Sequence, residues 1–271
     1  MDASVRAPVV AGSFYPGDRE HIERELDRHL STAEELHPLL ACIAPHAGWM
    51  YSGGVAGSLF GHLEMPRRVV LLGPNHTGIG ASVAVSPHSQ WDSPAGPVPV
   101  DRELATRLVD ASSPATADDR AHRREHSLEV LTPFLLGRRS DVCILPICVK
   151  HLPLETCLEI GTTLAAVIEE VGEPVGIVAS SDMSHYQPDE TARRLDRMAI
   201  DAALTLDAER LYETVHAHDI SMCGVIPATI ALAAAVKLGA TGAHLVTYAT
   251  SGDVSGDRTA VVGYAGICVH R

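Results

Sequence analysis

No stretch of the chain approaches the roughly 18 consecutive apolar residues that a membrane-crossing helix needs. Residues 1–6 lack the charged and apolar regions of a signal peptide. The expectation is a cytoplasmic protein with no membrane partner. Positive charge is also sparse: Lys and Arg number 21 against 34 Asp and Glu, a net charge of −13. Nucleic-acid binding relies on clustered cations, and the only clusters are short, around Arg120, Arg123 and Arg124 and at Arg138-Arg139. These read as solvated surface, and nucleic acid is not expected as a partner. No pair of cysteines has CxxC spacing. Cys42, Cys143, Cys148 and Cys268 lie in strand-like apolar runs and Cys157 in a helical pattern, which fits buried thiols in a reducing compartment. Cys223 differs, flanked by Met222 and Gly224 at a loop-to-helix junction. HExxH, Walker A and GxGxxG patterns are missing, so zincin, P-loop and Rossmann dinucleotide readings lose their main support. Ser180-Ser181-Asp182 followed by His185 invites a serine hydrolase reading, but there is no GxSxG elbow, and adjacent serines at a strand end often serve as turn or cap residues.

The chain does have a regular alternation of strand-like and helix-like segments, with 46% hydrophobic residues in a length of 271. The patterns predict strands over 39–44, 69–73, 82–85, 142–147, 175–179, 244–248 and 260–269. Helices are predicted over 18–30, 52–63, 101–109, 127–136, 154–171, 188–206 and 224–238. Such alternation argues for an α/β fold: one layered domain spanning residues 1–271, with a mixed, largely parallel central sheet flanked by helices. The one long irregular excursion, 87–100, contains Pro87, Pro94, Pro97 and Pro99 and reads either as a lid over a site or as a surface crossover.

Three histidines follow short apolar runs. Leu39-Leu40-Ala41-Cys42-Ile43-Ala44 leads into Pro45-His46-Ala47-Gly48, Val69-Val70-Leu71-Leu72-Gly73 into Pro74-Asn75-His76, and Val175-Gly176-Ile177-Val178-Ala179 into Ser180-Ser181-Asp182-Met183-Ser184-His185. In a parallel sheet the carboxyl ends of strands face a common crevice, so distant segments can deliver imidazoles to one place. With fifteen histidines in the chain, context has to separate them. His21, His29, His37, His62, His216, His218 and His270 read as surface or satisfied positions. His46 and His76 read as metal ligands, since two histidines and one further donor commonly hold a first-row metal. Asp182, Glu125, Glu129, Asp253 and Cys223 are candidates for the third donor, and spacing does not choose among them. Glu125-His126-Ser127-Leu128-Glu129 reads either as the acidic start of a helix or as a segment that brings His126 to a ligand or a metal-bound imidazole. Trp49, Tyr51 and Tyr186 lie near these histidines in sequence and could wall a binding pocket.

Taken together these residues resemble the Memo family. The resemblance runs from Val5-Arg6-Ala7-Pro8-Val9-Val10-Ala11-Gly12-Ser13-Phe14-Tyr15-Pro16 through Pro45-His46-Ala47-Gly48-Trp49-Met50-Tyr51-Ser52-Gly53, Gly73-Pro74-Asn75-His76 and Glu125-His126-Ser127-Leu128-Glu129-Val130. It continues through Pro133-Phe134-Leu135 and Ser180-Ser181-Asp182-Met183-Ser184-His185-Tyr186 to Val261-Val262-Gly263-Tyr264-Ala265, nearly the whole chain in order. It implies the fold of class III extradiol ring-cleaving dioxygenases with a non-haem metal pocket. The implied ligands are His46, His76 and Cys223, the last standing where the dioxygenases place a carboxylate. His185 would match the general base, with Asp182 and His126 lining the pocket. The implied metal is Fe(II), with Cu or Zn as alternatives, because a thiolate is softer than a carboxylate. The resemblance also implies a small phenolic or related substrate and a pathway link to AMMECR1-like and radical SAM proteins. Two alternatives are a non-catalytic module binding a metal or a peptide and a redox protein in which Cys223 reacts beside the metal.

Overall fold

The computed structural model describes residues 4–30, 33 and 36–271; Met1, Asp2 and Ala3 of the N-terminal segment lie outside the described residues. Its central sheet has nine strands: β1 (Ala41–Ala44), β2 (Arg68–Pro74), β3 (Val83–Val85), β4 (Ala115–Ala117), β5 (Cys143–Val149), β6 (Val175–Ser180), β7 (His185–Gln187), β8 (Gly242–Thr250) and β9 (Val261–His270). The middle, in the order β1-β6-β2-β5, is entirely parallel. Antiparallel strands flank it, β3 on β5 and β9 on β1. Beyond them β4 runs parallel to β3, β8 pairs along β9, and β7 pairs with the first residues of β9. The sheet is mixed and parallel at its heart.

The helices in chain order are α1 (Arg19–His29), α2 (Trp49–Gly61), α3 (Arg102–Ala111), α4 (Thr132–Arg138), α5 (Leu154–Val171), α6 (Asp189–Leu204), α7 (Ala208–Ala217), α8 (Val225–Lys237) and α9 (Ser251–Ser255). Parallel strands covered on both faces need apolar side chains on both, and the central runs supply them by alternation. Val70, Leu72, Leu145, Ile147, Ile177 and Ala179 point into one hydrophobic cluster with α3, α5, α6, α7 and α8. Val69, Leu71, Ile144, Cys148 and Val178 point into the other with α1, α2 and α4. An aspartate at the N-cap starts three of the helices: Asp18, Asp101 and Asp207 accept backbone N–H bonds from His21, Leu104 and Arg210.

Several boundaries differ from the sequence expectation. Helix α2 begins at Trp49, before the expected start at 52, with its glycine-rich first turns fully helical. The expected helix 127–136 is a 3-10 turn, Glu129–Leu131, followed by α4, with Pro133 in the first turn, where its missing N–H has no helical partner to lose. The long helix expected over 188–206 stops at Leu204. Leu206 turns left-handed with φ 61°, and Asp207 caps a further helix, α7, that was not anticipated.

Segment 87–100 is not a lid. Its strand Gln90–Trp91 pairs in parallel with Val5–Arg6 on one side and antiparallel with Val98–Pro99 on the other, making a small three-stranded sheet. Trp91 is buried, donating its indole N–H to Ser86 Oγ, and the prolines are accommodated because these are short edge pairings. The six cysteines are free thiols, and Cys223 alone is not fully buried. None of the described helices is long and apolar enough to cross a membrane.

Candidate metal centre

Because β1, β2, β5 and β6 are parallel, their carboxyl ends share one edge. His46 lies just beyond β1, His76 just beyond β2, and Ser180 ends β6 with Asp182 following. Cys223 reaches the same edge from the opposite direction, immediately before α8. Gly224 permits this approach: a Cβ there would fall 2.3 Å from the Ser180 carbonyl oxygen. One nitrogen from each of His46 and His76 and the sulfur of Cys223 all lie within 4.8 Å of one another. Donors on a single ion with bonds of about 2.0–2.3 Å stand about 3–4 Å apart, so small side-chain shifts bring the three onto one centre.

The hydrogen bonds behind the rings decide which nitrogens face it. Ser180 Oγ donates to the Ser127 carbonyl at 2.7 Å, so at 2.6 Å it accepts from His46 Nδ1–H. His46 Nε2 is left with its lone pair, 3.4 Å from Cys223 Sγ. His76 Nδ1–H donates to Glu125 Oε1 at 2.8 Å, and the same carboxylate accepts from the backbone N–H groups of His76, His126 and Ser127. A buried acceptor on Nδ1 fixes tautomer and ring direction in metal-binding histidines. Glu125, 1% exposed, is the holder of His76: burial pushes its carboxyl up, but the bonds from His76 and Ser127 outweigh this and hold it down to about 2.

Burial keeps His46 well below the ordinary imidazole range, with neighbouring His76 and His126 acting in the same direction. Burial raises the Cys223 thiol, and the Asp182 carboxylate raises it further. His126 stacks on His76 at 4.6 Å between ring centroids and stands 5.5 Å from the His46 ring. Burial lowers its basicity, opposed by Glu125. Asp182 is buried, and Oδ1 accepts from the backbone N–H groups of His46 and Ala47, so its geometry is that of a group holding the His46 turn. The hydrolase reading finds no support here: Ser180 is wholly buried, and Ser181 Oγ donates to the Asp182 carbonyl.

At the mouth, His185 Nδ1–H donates to the Ser221 carbonyl at 2.9 Å and leaves Nε2 as an acceptor. Its neighbour Tyr186 is 77% exposed with φ 57°, a left-handed conformation that costs free energy and tends to persist at functional sites. Tyr51 is half-buried in the first turn of α2. Trp49 belongs to the core instead: it is 3% exposed, packs on Phe134 and Tyr15, and donates its indole N–H to the Val130 carbonyl. It offers no wall to a ligand.

The remaining candidates for a third donor have other partners. Glu129 forms a buried ion pair with Arg6 at 2.8 Å and accepts from Tyr15 and from the N–H groups of Val9 and Val10. Asp253 caps α9 and pairs with Arg193 and Arg258. Several supporting residues escaped sequence reasoning. Arg6 also donates to the His122 and Glu125 carbonyls, clamping the segment that bears Glu125. Asp196 accepts from the Ser184 N–H and the Tyr248 hydroxyl beneath His185. His151 lies past the carboxyl end of β5 and lines a cavity of about 200 Å³ with Asn75, His76, Lys150 and Cys223. An apolar strand run leading to a histidine was the signal for it, the same one that marked His46.

Fold and donor set together define an α/β protein with a His₂Cys cluster at the carboxyl edge of a mixed sheet. The chain belongs to the Memo family: the family described as "Memo-like protein" matches residues 6–268. A MEMO1 family protein of Methanosarcina barkeri is 44% identical over 267 residues, covering 98% of this chain and 100% of the relative. One from Aquifex aeolicus is 42% identical, covering 97% of this chain and 98% of the relative. A solved structure of an uncharacterized protein from Escherichia coli K12 has the same fold, with a TM-score of 0.55 and 16% identity over 85% of this chain and 99% of its own.

Proposed function

We propose that the chain is a metal-dependent oxidoreductase whose His46, His76 and Cys223 hold one first-row transition ion, Fe(II) or alternatively Cu or Zn. The observation that carries this is the pair of Nδ1 anchors, Ser180 behind His46 and Glu125 behind His76, which leave two Nε2 lone pairs beside the Cys223 sulfur. Bound there, Fe or Cu would supply electron transfer and Lewis acidity toward an oxygen-bearing substrate, and Zn would supply Lewis acidity alone.

The chain's own residues account for the rest. His185, with Nδ1 committed to Ser221, accepts a proton from a substrate hydroxyl at Nε2. His126 lines the site beside both ligand imidazoles as a further donor or acceptor. Asp182 keeps the His46 turn in place. Tyr186 and Tyr51 supply aromatic surface for a small phenolic or related ring at the mouth, and AMMECR1-like and radical SAM proteins are the proposed pathway partners.

Reconstitution with Fe(II), Cu(I) or Zn(II) followed by elemental analysis tests the centre: wild type binds one ion here that His46→Ala and Cys223→Ala lose. Oxygen uptake with a catechol panel tests the chemistry, with His185→Ala keeping the metal and losing turnover. Tight metal binding without turnover of any substrate in the panel favours a binding module.

A further inference from the structure

At the opposite edge of the sheet, before the amino end of β1, three more imidazoles converge. The rings of His37, His244 and His270 have centroid separations of 5.4, 5.5 and 5.8 Å. Imidazoles on one tetrahedral ion, with metal–nitrogen bonds of about 2.0–2.1 Å, place their ring centroids roughly 5 Å apart. The His46 and His76 rings of the proposed centre are 5.3 Å apart, so the second trio is spaced similarly ring to ring, but its nitrogens are not drawn within 4.8 Å of one another as the donors of the first centre are, and the rings must turn to share an ion.

The fold builds this grouping from three separate segments. In the antiparallel β8–β9 pair Gly242 faces His270 and His244 faces Cys268, so His244 and His270 stand diagonally on one face of the sheet. Gly242 has no side chain to fill the space: a Cβ there would lie 2.6 Å from His270 Cε1. His37 comes from a two-residue strand paired with Leu63, held by its N–H donating to the His62 carbonyl. All three side chains are partly exposed. A cavity of about 600 Å³ lined by His37 and His270, with Glu169 and Glu173, opens beside two of the three rings. Among the described residues the rings of His37 and His244 make no hydrogen bond, so their nitrogens remain available, and rotation about the soft Cβ–Cγ bond aims them.

We infer that His37, His244 and His270 form a second, separate site for a divalent first-row ion, Zn²⁺, Ni²⁺ or Cu²⁺, with water completing the coordination. Three neutral nitrogen donors suit these borderline ions and disfavour Mg²⁺ or Ca²⁺.

The test is equilibrium dialysis of untagged protein against micromolar Zn²⁺, with bound zinc read by elemental analysis and folding checked by circular dichroism. Wild type should hold two ions, His244→Ala/His270→Ala one, His46→Ala/Cys223→Ala one, and the quadruple variant none. If the far-edge double variant loses its fold, His37→Gln is read in its place and should also lose one ion. Zinc uptake unchanged by these substitutions overturns the inference, as does far-edge binding seen only at millimolar zinc. Wild type with a single ion that the far-edge variant loses supports the second site and refutes the first; a single ion lost only with His46 and Cys223 does the reverse.

Discussion

The two ends of the sheet carry histidines of different construction. At the carboxyl edge His46 is 1% exposed, and both imidazoles of the proposed centre have Nδ1 bound to a buried acceptor. At the opposite edge the rings are similarly spaced but partly exposed, and among the described residues His270 alone of the three rings has a hydrogen-bond partner, the neighbouring Arg271 carbonyl at 3.2 Å. The first edge has already met the entropy cost of orientation during folding; the second would meet it on binding. Ring spacing brings donors near one another, and buried acceptors behind the rings orient them toward a common point. Zinc should therefore bind the carboxyl edge at least tenfold more tightly, and equal affinities in His46→Ala/Cys223→Ala and His244→Ala/His270→Ala would break the comparison.

The largest effect on the contrast should come from a residue that touches no ligand. Arg6→Met leaves Glu129 buried and unpaired and frees the Glu125 carbonyl, so stability should fall by about 3–5 kcal/mol in urea denaturation. Metal affinity should drop at the carboxyl edge alone; a loss shared by both edges would mean that Arg6 serves only the global fold. Next comes Glu125→Gln, which keeps the volume but removes the anionic acceptor from His76 Nδ1. Affinity at the carboxyl edge should fall by roughly 10–100-fold, measured by competition with a chelator of known affinity. Ser180→Ala removes one neutral hydrogen-bond relay behind His46 and should cost about tenfold in the same titration. Neither change should move the far-edge site.

Much of this arrangement was legible in the sequence because strand ends are local. Apolar runs ending in Pro-His, Pro-Asn-His and Ser-Ser-Asp define parallel strands and place side chains at one edge. The partners of those side chains were not legible, because they are fixed by contacts between segments far apart in the chain. Ser180 looked like a turn residue until the Ser127 carbonyl was seen to use its hydroxyl proton. Glu125 and Glu129 were equal candidates for a ligand, and what separates them is that one faces His76 and the other Arg6. His37 and His270 read as ordinary surface because the register of β8 on β9, which brings His244 beside them, is a tertiary fact. Trp49 misled in the opposite direction: proximity in sequence to His46 suggested a pocket wall, but the start of α2 turns the indole into the core.

The smallest effect concerns the scaffold around His185 and reads out in acid. Asp189 opens α6 just after β7, accepting from Arg193, from Arg258 and from the Thr250 hydroxyl, and so joins three segments that frame the His185 strand. The bond from Arg193 is foremost among those that hold its carboxyl down to about 2, against roughly 3.9 in an unfolded chain. A depressed carboxyl stabilises the fold fully above its unfolded value, and that contribution is lost as pH falls through the folded value. The stability difference between wild type and Asp189→Asn should thus be constant above pH about 5 and shrink between pH about 4 and 2. Arg258 is 57% exposed and solvent screens its share, so the change should be about 1 kcal/mol. Denaturation midpoints of the two proteins measured at stepwise pH give this difference directly. A difference that stays flat down to pH 2 would show that Asp189 acts through shape alone and that its charge does not hold the His185 frame together.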